Sequence, residues 1–338
     1  MHITLDYLIT SLVIIILLVS SIYIVISYSN FPVSSTEIEQ MRTLADKTLN
    51  LILLSDGSPV DWGSDLNVDS SDLKGFGLHR VNAPMYVLDP DKIGRLHDNS
   101  PYKIDPTDAA GSLGFYGDGY LEKGFCLMVI PVLKVDIREI SPHKFEISVA
   151  DYEGRVAPNV LVRSIYFAIN VSDNKISSFI WNNTLTNMTD YNGMCSLDYA
   201  PWASSINANN FTLIVYVEQY GLESVGTYPP IDPEKAEIFA HEHQIVTKNP
   251  GSDISNEIIA LASEKSIGVF QVNNLNLDDE LNIVLVVVDG RLTLVQRPYP
   301  VNYGTQKPGG LKAVCTTKFV TIGRLTYVAC LCVWRMGE

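Results

Sequence analysis

From Leu8 to Ser27 the chain runs for about twenty residues with no charge and no proline, and no comparable run recurs. At ~1.5 Å per residue, a helix of that length spans a ~30 Å hydrocarbon layer. Pro32 predicts a break just beyond it. After the break, Ile38, Met41, Ala45, Leu49 and Ile52 recur at helical spacing, with Glu39, Arg42 and Asp46 on the opposite face. Ser34 with Glu37 three residues later has capping-box spacing, and Gly57 and Pro59 mark the stop. The pattern predicts a membrane helix, a short break, and an amphipathic helix of about five turns. The apolar face of that second helix requires a cover, from the body or from a neighbouring subunit.

Residues 56–120 are rich in Gly, Pro and Asp and read as loops. Within them, Asp89-Pro90-Asp91-Lys92 predicts an N-cap with proline at the first helical position, opening a short helix to about His97. From Gly124 the period changes to two. Leu133, Val135 and Ile137 alternate with Lys134, Asp136 and Arg138, and Phe145, Ile147 and Val149 with Glu146 and Ser148. Cys195, Leu197 and Tyr199, then Phe211, Leu213, Val215 and Val217, follow the same rule. Short alternating strands between turn residues predict an antiparallel sandwich. The proline-rich stretch from Tyr228 to Pro233 is a stiff linker. Beyond it, Asp289-Gly290 joins Leu281–Val288 to Arg291–Arg297 in a predicted type I′ hairpin. Lys312–Thr321 and Arg324–Trp334 suggest a second hairpin, part of this region pairing with the sheet that begins near Cys126. The expected fold is mainly β with an N-terminal transmembrane helix. Its segments are an anchor at 1–30, an amphipathic helix and loops at 31–123, a sandwich at 124–228, and a C-terminal β-rich domain at 229–338.

Charge narrows the function. The 338 residues carry a formal net charge of −14, which repels phosphate backbones and argues against nucleic-acid binding. Residues 1–7 contain no Lys or Arg, and no A-x-A follows the apolar run, so a retained anchor is expected rather than a cleaved secretory signal. Four N-x-S/T sequons, at Asn170, Asn182, Asn187 and Asn210, lie in one Asn-rich stretch and suggest a glycosylated, extracytoplasmic body. Five cysteines are too few for a disulfide scaffold. Cys330 and Cys332 are read as facing opposite sides of a late strand. With Cys315 across the hairpin, one bridge from Cys315 to Cys330 or Cys332 is available.

Candidate chemistry is sparse. His241-Glu242-His243 is the one histidine cluster; on a strand its two imidazoles could share a face, but HExxH is absent and surface histidines are the simpler reading. Asp65-Leu66-Asn67-Val68-Asp69 begins like a calcium loop, yet Ser70 stands where glycine belongs and Phe76 where the twelfth-position Glu belongs. G-x-S-x-G and P-loop motifs are absent. No catalytic residue, metal or cofactor is expected.

Two resemblances add to this reading. Ile147 to Arg155, Pro158-Asn159-Val160 and Thr189 to Gly193 resemble the immunoglobulin-like and transthyretin-like modules of microbial surface proteins, over roughly Pro131 to Tyr228. The resemblance implies an immunoglobulin-like sandwich and no particular ligand. Thr4-Leu5-Asp6-Tyr7-Leu8-Ile9, running into the apolar helix, resembles the class III signal region of archaeal type IV pilins. Tyr86 to Ile93 and Gly124 to Pro131 also resemble stretches of large pilin-like archaeal membrane proteins. That family stores the helix in the bilayer and later packs it into a filament core, with the head outside. Asp6 would neutralise a subunit amine in that apolar core, with Tyr7 beside it. The chain departs from the family in lacking a basic residue followed by Gly or Ala before the helix, and in Pro32. The expected function is a non-enzymatic pilin-like or minor-pilin subunit, its partners being other pilin-like subunits or membrane proteins and the lipid bilayer. A monomeric, membrane-tethered binding or adhesion protein is the alternative, and a membrane-bound hydrolase the third reading.

Overall fold

The structure is a computed structural model that describes residues 2–307 and 312–336; within the first helix it describes the side chains of residues 14–22 and those from 36 onward. That helix, α1 (His2–Leu54), is 53 residues long and unbroken. The predicted break at Pro32 and the capping-box start at Ser34 are therefore both corrected: the helix runs through. A proline inside a helix removes one main-chain hydrogen bond and crowds the preceding turn. The helical periods on either side outweigh that local loss. α1 ends where expected, ahead of Gly57, whose φ of 78° takes the chain away. The loop at Leu78 and His79 turns back to donate main-chain N–H groups to the Ile52 and Ser55 carbonyls, closing the helix end.

Among the described residues the chain then builds sixteen principal strands. β1 (Val87–Leu88) precedes the short helix α2 (Pro90–Gly94), which has Asp89 as its cap as predicted. β2 (Lys123–Pro131), β3 (Leu133–Ser141), β4 (Lys144–Asp151), β5 (Leu161–Ser172), β6 (Lys175–Asn182) and β7 (Met194–Asp198) follow. Next come β8 (Asn210–Gln219), β9 (Leu222–Tyr228), β10 (Glu257–Ser263), β11 (Ser266–Gln271), β12 (Ile283–Val288) and β13 (Arg291–Gln296). β14 (Val301–Gly304), β15 (Val314–Ile322) and β16 (Leu325–Arg335) complete the set.

These strands form layers. A three-stranded sheet, β7-β4-β3, faces a sheet ordered β9-β8-β5-β6. Between them lie Phe145, Ile147 and Val149 from one side and Val162, Tyr166, Leu213 and Val215 from the other. The alternate residues of the second sheet, Ile165, Phe167, Ile214 and Tyr216, look the other way and meet Ile259, Leu261, Ile283 and Leu285 of a third sheet, β11-β10-β12-β13. β5 and β12 are thus covered on both faces, which is why β12 reads Ile-Val-Leu-Val-Val-Val without alternation. Its turn at Asp289 and Gly290 has φ of 49° and 76°, as the dipeptide predicts for a type I′ hairpin.

A five-stranded sheet, β1-β15-β16-β2-β14, carries α1. Ala45, Leu49, Ile52 and Leu53 are sealed against its inner face, so the apolar face from Ala45 onward is covered by the chain's own body, while Ile38 is 41% exposed. β16 pairs along its length with β2, from Tyr327 opposite Pro131 to Arg335 opposite Lys123. The end of the chain therefore closes on the sheet begun near Cys126, and β2 lies in this sheet rather than among the facing sheets that start at β3. Cys330 and Cys332 share one face of β16, against the expectation of opposite faces: strand side chains alternate, so positions two apart point the same way.

Candidate functional site

α1 holds two stretches with different environments. Toward its C-terminal end one face, with Ala45, Leu49, Ile52 and Leu53, is buried on the β body, while Ile14, Ile15, Ile16, Leu17, Leu18 and Val19 are each more than half exposed, at 53–62%. Successive helical residues point all round the axis, so this is an apolar cylinder and not a stripe. Its two hydroxyls are turned inward on the helix: Ser20 donates to the Leu17 carbonyl at 3.0 Å and Ser21 to the Leu18 carbonyl at 2.9 Å. The segment therefore offers a surrounding medium no unsatisfied donor. Among the described residues no helical stretch is long and apolar enough to cross a membrane; the sequence run from Leu8 to Ser27 extends beyond the side chains described. The side chains of Asp6 and Tyr7 lie outside the described residues.

Where α1 enters the head, ionic contacts guide its polar edge. Lys318 Nζ lies 3.7 Å from Asp46, and Arg335 donates to Glu37 at 3.5 Å. Just past the helix, His79 Nδ1 meets Asp56 at 2.7 Å.

The chemistry-bearing residues that sequence reading missed form a buried charged hub around α2. Asp91 accepts from Arg297 Nε and Nη2 through one oxygen, at 3.1 and 2.9 Å, and from the Glu242 main-chain N–H through the other, at 2.9 Å. Lys92 is fully buried and donates to the Asp56 and His79 carbonyls at 2.7 and 2.9 Å. Arg95 donates to the carbonyls of Trp62, Asp65, Val68 and Tyr102. Burial pushes the Asp89 carboxyl up to about 6, with the nearby Asp91 adding to the rise. Burial also lowers the Lys92 ammonium. One short helix thereby stitches the loop-rich segment to the C-terminal strands. Its charged groups are committed to named partners, and this suits a clamp better than a reaction centre. The sequence signal was the Asp-Pro-Asp-Lys cap; its burial was invisible because Asp, Lys and Arg are ordinarily surface residues.

His241 and His243 are not brought together. His241 is buried at the hub, its Nδ1 3.8 Å from Asp91 and neither ring nitrogen hydrogen-bonded, whereas the His243 side chain is 61% exposed. The surface reading is corrected for His241, because its strand, Ile238–Ala240, ends just before it and the chain turns inward. Asp65 uses its carboxylate on the main chain and side chain of Asn67, and no metal-binding group occurs among the described residues. A groove of about 730 Å³ lies beside the Tyr228–Pro233 linker; of its acids, Asp232 is paired with Lys235 at 2.8 Å and Asp289 accepts from the Asp253 N–H at 2.9 Å.

The four sequons differ in what they offer. The Asn170 amide nitrogen donates to Ser178 and to the Asn207 carbonyl, that of Asn187 to the Ser196 carbonyl, and that of Asn210 to Asn209. At Asn182 the oxygen accepts from both the N–H and the hydroxyl of Thr184, at 3.0 and 2.7 Å, and the amide nitrogen has no partner among the described residues. Cys315 is bonded to Cys332, while Cys126, Cys195 and Cys330 are free.

Comparison with protein-family models, with curated proteins and with solved structures returned no match.

Proposed function

We propose that this chain is a non-enzymatic, membrane-anchored surface subunit of pilin-like architecture. The N-terminal half of α1 packs first in the bilayer and then among like helices, and the layered β head stands outside. The observation that carries the reading is α1 itself, one helix with an exposed apolar stretch at residues 14–22 and a C-terminal stretch built onto the β body. The continuity through Pro32 removes one departure from the pilin pattern. The facing sheets β7-β4-β3 and β9-β8-β5-β6 are the part read as an immunoglobulin-like module. Asp6 and Tyr7 would act where helices meet, and Asn182 is the sequon best presented for a glycan. The second reading, a tethered binding protein, is favoured by Ile180 and Trp181, 52% and 45% exposed on β6.

The test is cysteine cross-linking in native membranes. Ile15→Cys and Leu18→Cys variants are oxidised with copper phenanthroline, and intact mass and N-terminal sequence are read on the same material. A ladder of cross-linked oligomers with a trimmed N-terminus supports the subunit reading. Monomers and an intact Met1 leave the tethered binder, and release of the protein by alkaline carbonate overturns both.

A further inference from the structure

Four of the five cysteines stand on the outer face of the five-stranded sheet. Cys332 is at the centre of a row: Cys315 is directly opposite it on β15, and Cys126 directly opposite it on β2. Cys330, two residues from Cys332 on the same strand, faces the same way and pairs in register with Thr317 and Met128. Directly opposed residues in antiparallel strands have Cβ atoms ~4.5–5.5 Å apart, within adjustment range of a disulfide. Cys332 thus has two thiol-bearing neighbours of the same register, and it is bonded to one of them. The Cys126 thiol donates to Asn302 Oδ1 at 2.9 Å. Burial and the neighbouring Cys330 raise its pKa, so it waits as a thiol. Cys315 is exposed on β15, one of the two strands that flank β16.

We propose that this row is a thiol–disulfide exchange site whose product is an accessible Cys315 thiol able to take a disulfide-bearing ligand. Cys126 gives its proton to solvent, and the thiolate forms a bond to Cys332 Sγ. The Cys315–Cys332 bond breaks, and its electron pair leaves with Cys315, which is protonated or reacts on. The step is an isomerisation and needs no oxidant. The staple moves from β15–β16 to β16–β2, and both are neighbouring pairs of the same sheet. The freed Cys315 thiolate then attacks an external disulfide R–S–S–R, forming Cys315–S–R and releasing one thiolate. The raised thiol pKa of Cys126 makes the first step slow near neutrality and faster with rising pH. Cys195, on β7 of a different sheet, takes no part.

The experiment incubates the full chain with oxidised glutathione at pH 7 and pH 9, without reductant, then quenches in acid, alkylates and maps peptides by mass spectrometry. The expected result is a glutathione adduct on Cys315 together with a Cys126–Cys332 peptide, at least ten-fold faster at pH 9. Cys126→Ser, which leaves the Cys315–Cys332 bond in place, should lose the Cys315 adduct, whereas Cys330→Ser should keep it. A second measurement covers a poorly folding Cys126→Ser: wild type held at pH 9 without glutathione should become alkylatable at Cys315 and protected at Cys126. Adducts confined to Cys126 or Cys330 with Cys315–Cys332 intact, a Cys126–Cys330 bond, or equal Cys315 labelling in Cys126→Ser would each overturn the proposal.

Discussion

Asp91 and Arg297, 206 positions apart, form a double hydrogen-bonded ion pair with side chains only 3% and 1% exposed. The pair joins α2, in the loop-rich segment, to the end of the third sheet. Arg297 also donates to the Leu277 and Asp278 carbonyls, so one guanidinium holds three pieces of chain. Removing one partner strands the other charge in a low-dielectric site. Arg297→Met should therefore destabilise the head by ~3–5 kcal/mol in urea melts. The double variant Asp91→Leu with Arg297→Met should recover most of that loss, short of the ~1 kcal/mol for the Glu242 N–H left without its acceptor. A single variant within 1 kcal/mol of wild type would mean the hub is wet and the clamp assignment mistaken.

Asp89 predicts a pH dependence. Its carboxyl titrates at about 6 in the folded chain against 3.8 for the unperturbed group, because burial disfavours the anion. The folded state binds the extra proton, so stability falls as pH rises from about 4 through 6 and stays lowered above that. The amide of Asp89→Asn keeps an oxygen for the Asp91 and Lys92 N–H groups that the carboxylate now caps. The variant should match wild type near pH 4 and exceed it at pH 7.5, by on the order of 1–3 kcal/mol. Thermal melts across that range decide it; a variant that is weaker at pH 7.5 would show Lys92 to be the dominant neighbour.

His241 works in the opposite direction. Burial holds its pKa below the usual 6.5, with Asp91 opposing and Arg297 and Arg95 assisting. Its stabilising neutral form is secure above 6.5, and stability is lost as pH falls below that value, where the unfolded imidazole takes a proton first. His241→Leu, apolar and near in volume, should melt close to wild type at pH 8 and several degrees higher than wild type at pH 5. Equal pH profiles for the two would mean that the buried imidazole is solvated on a short timescale.

Much of the fold was legible because it follows period and turn chemistry. Alternation located β3, β4, β7 and β8, the Asp289-Gly290 pair set its hairpin, and Asp89 with Pro90 set the start of α2. What was hidden depends on long-range closure. That the C-terminal region joins the sheet begun near Cys126 was expected, but nothing near Lys123–Pro131 singles out Leu325–Arg335 as the strand or sets its register, and nothing in Asp91 says that Arg297 awaits it. Pro32 misled because its cost is local and a helix favoured on both sides absorbs it. The cysteine row was half visible: the hairpin placed Cys315 near Cys332, but Cys126 enters only through the pairing of β16 with β2.

α1 gives the sharpest contrast between two jobs on one element. Leu49 is fully buried against the five-stranded sheet, while Ile16 is 58% exposed. Leu49→Ala should cost the head ~2–5 kcal/mol, a transfer loss plus a cavity, and lower its melting temperature in detergent. Ile16→Ala should leave that melting temperature within a degree, because no head contact is removed. Membrane retention should respond the other way. An Ile16→Arg change puts a charge at the middle of the apolar cylinder, costing ~2.5–3.5 kcal/mol at a bilayer centre, and should shift protein from the membrane to the soluble fraction. Leu49→Ala should not shift it. If Ile16→Arg instead unfolds the head and leaves retention unchanged, the apolar stretch around Ile16 is covered by the protein's own body and not by lipid or neighbouring helices.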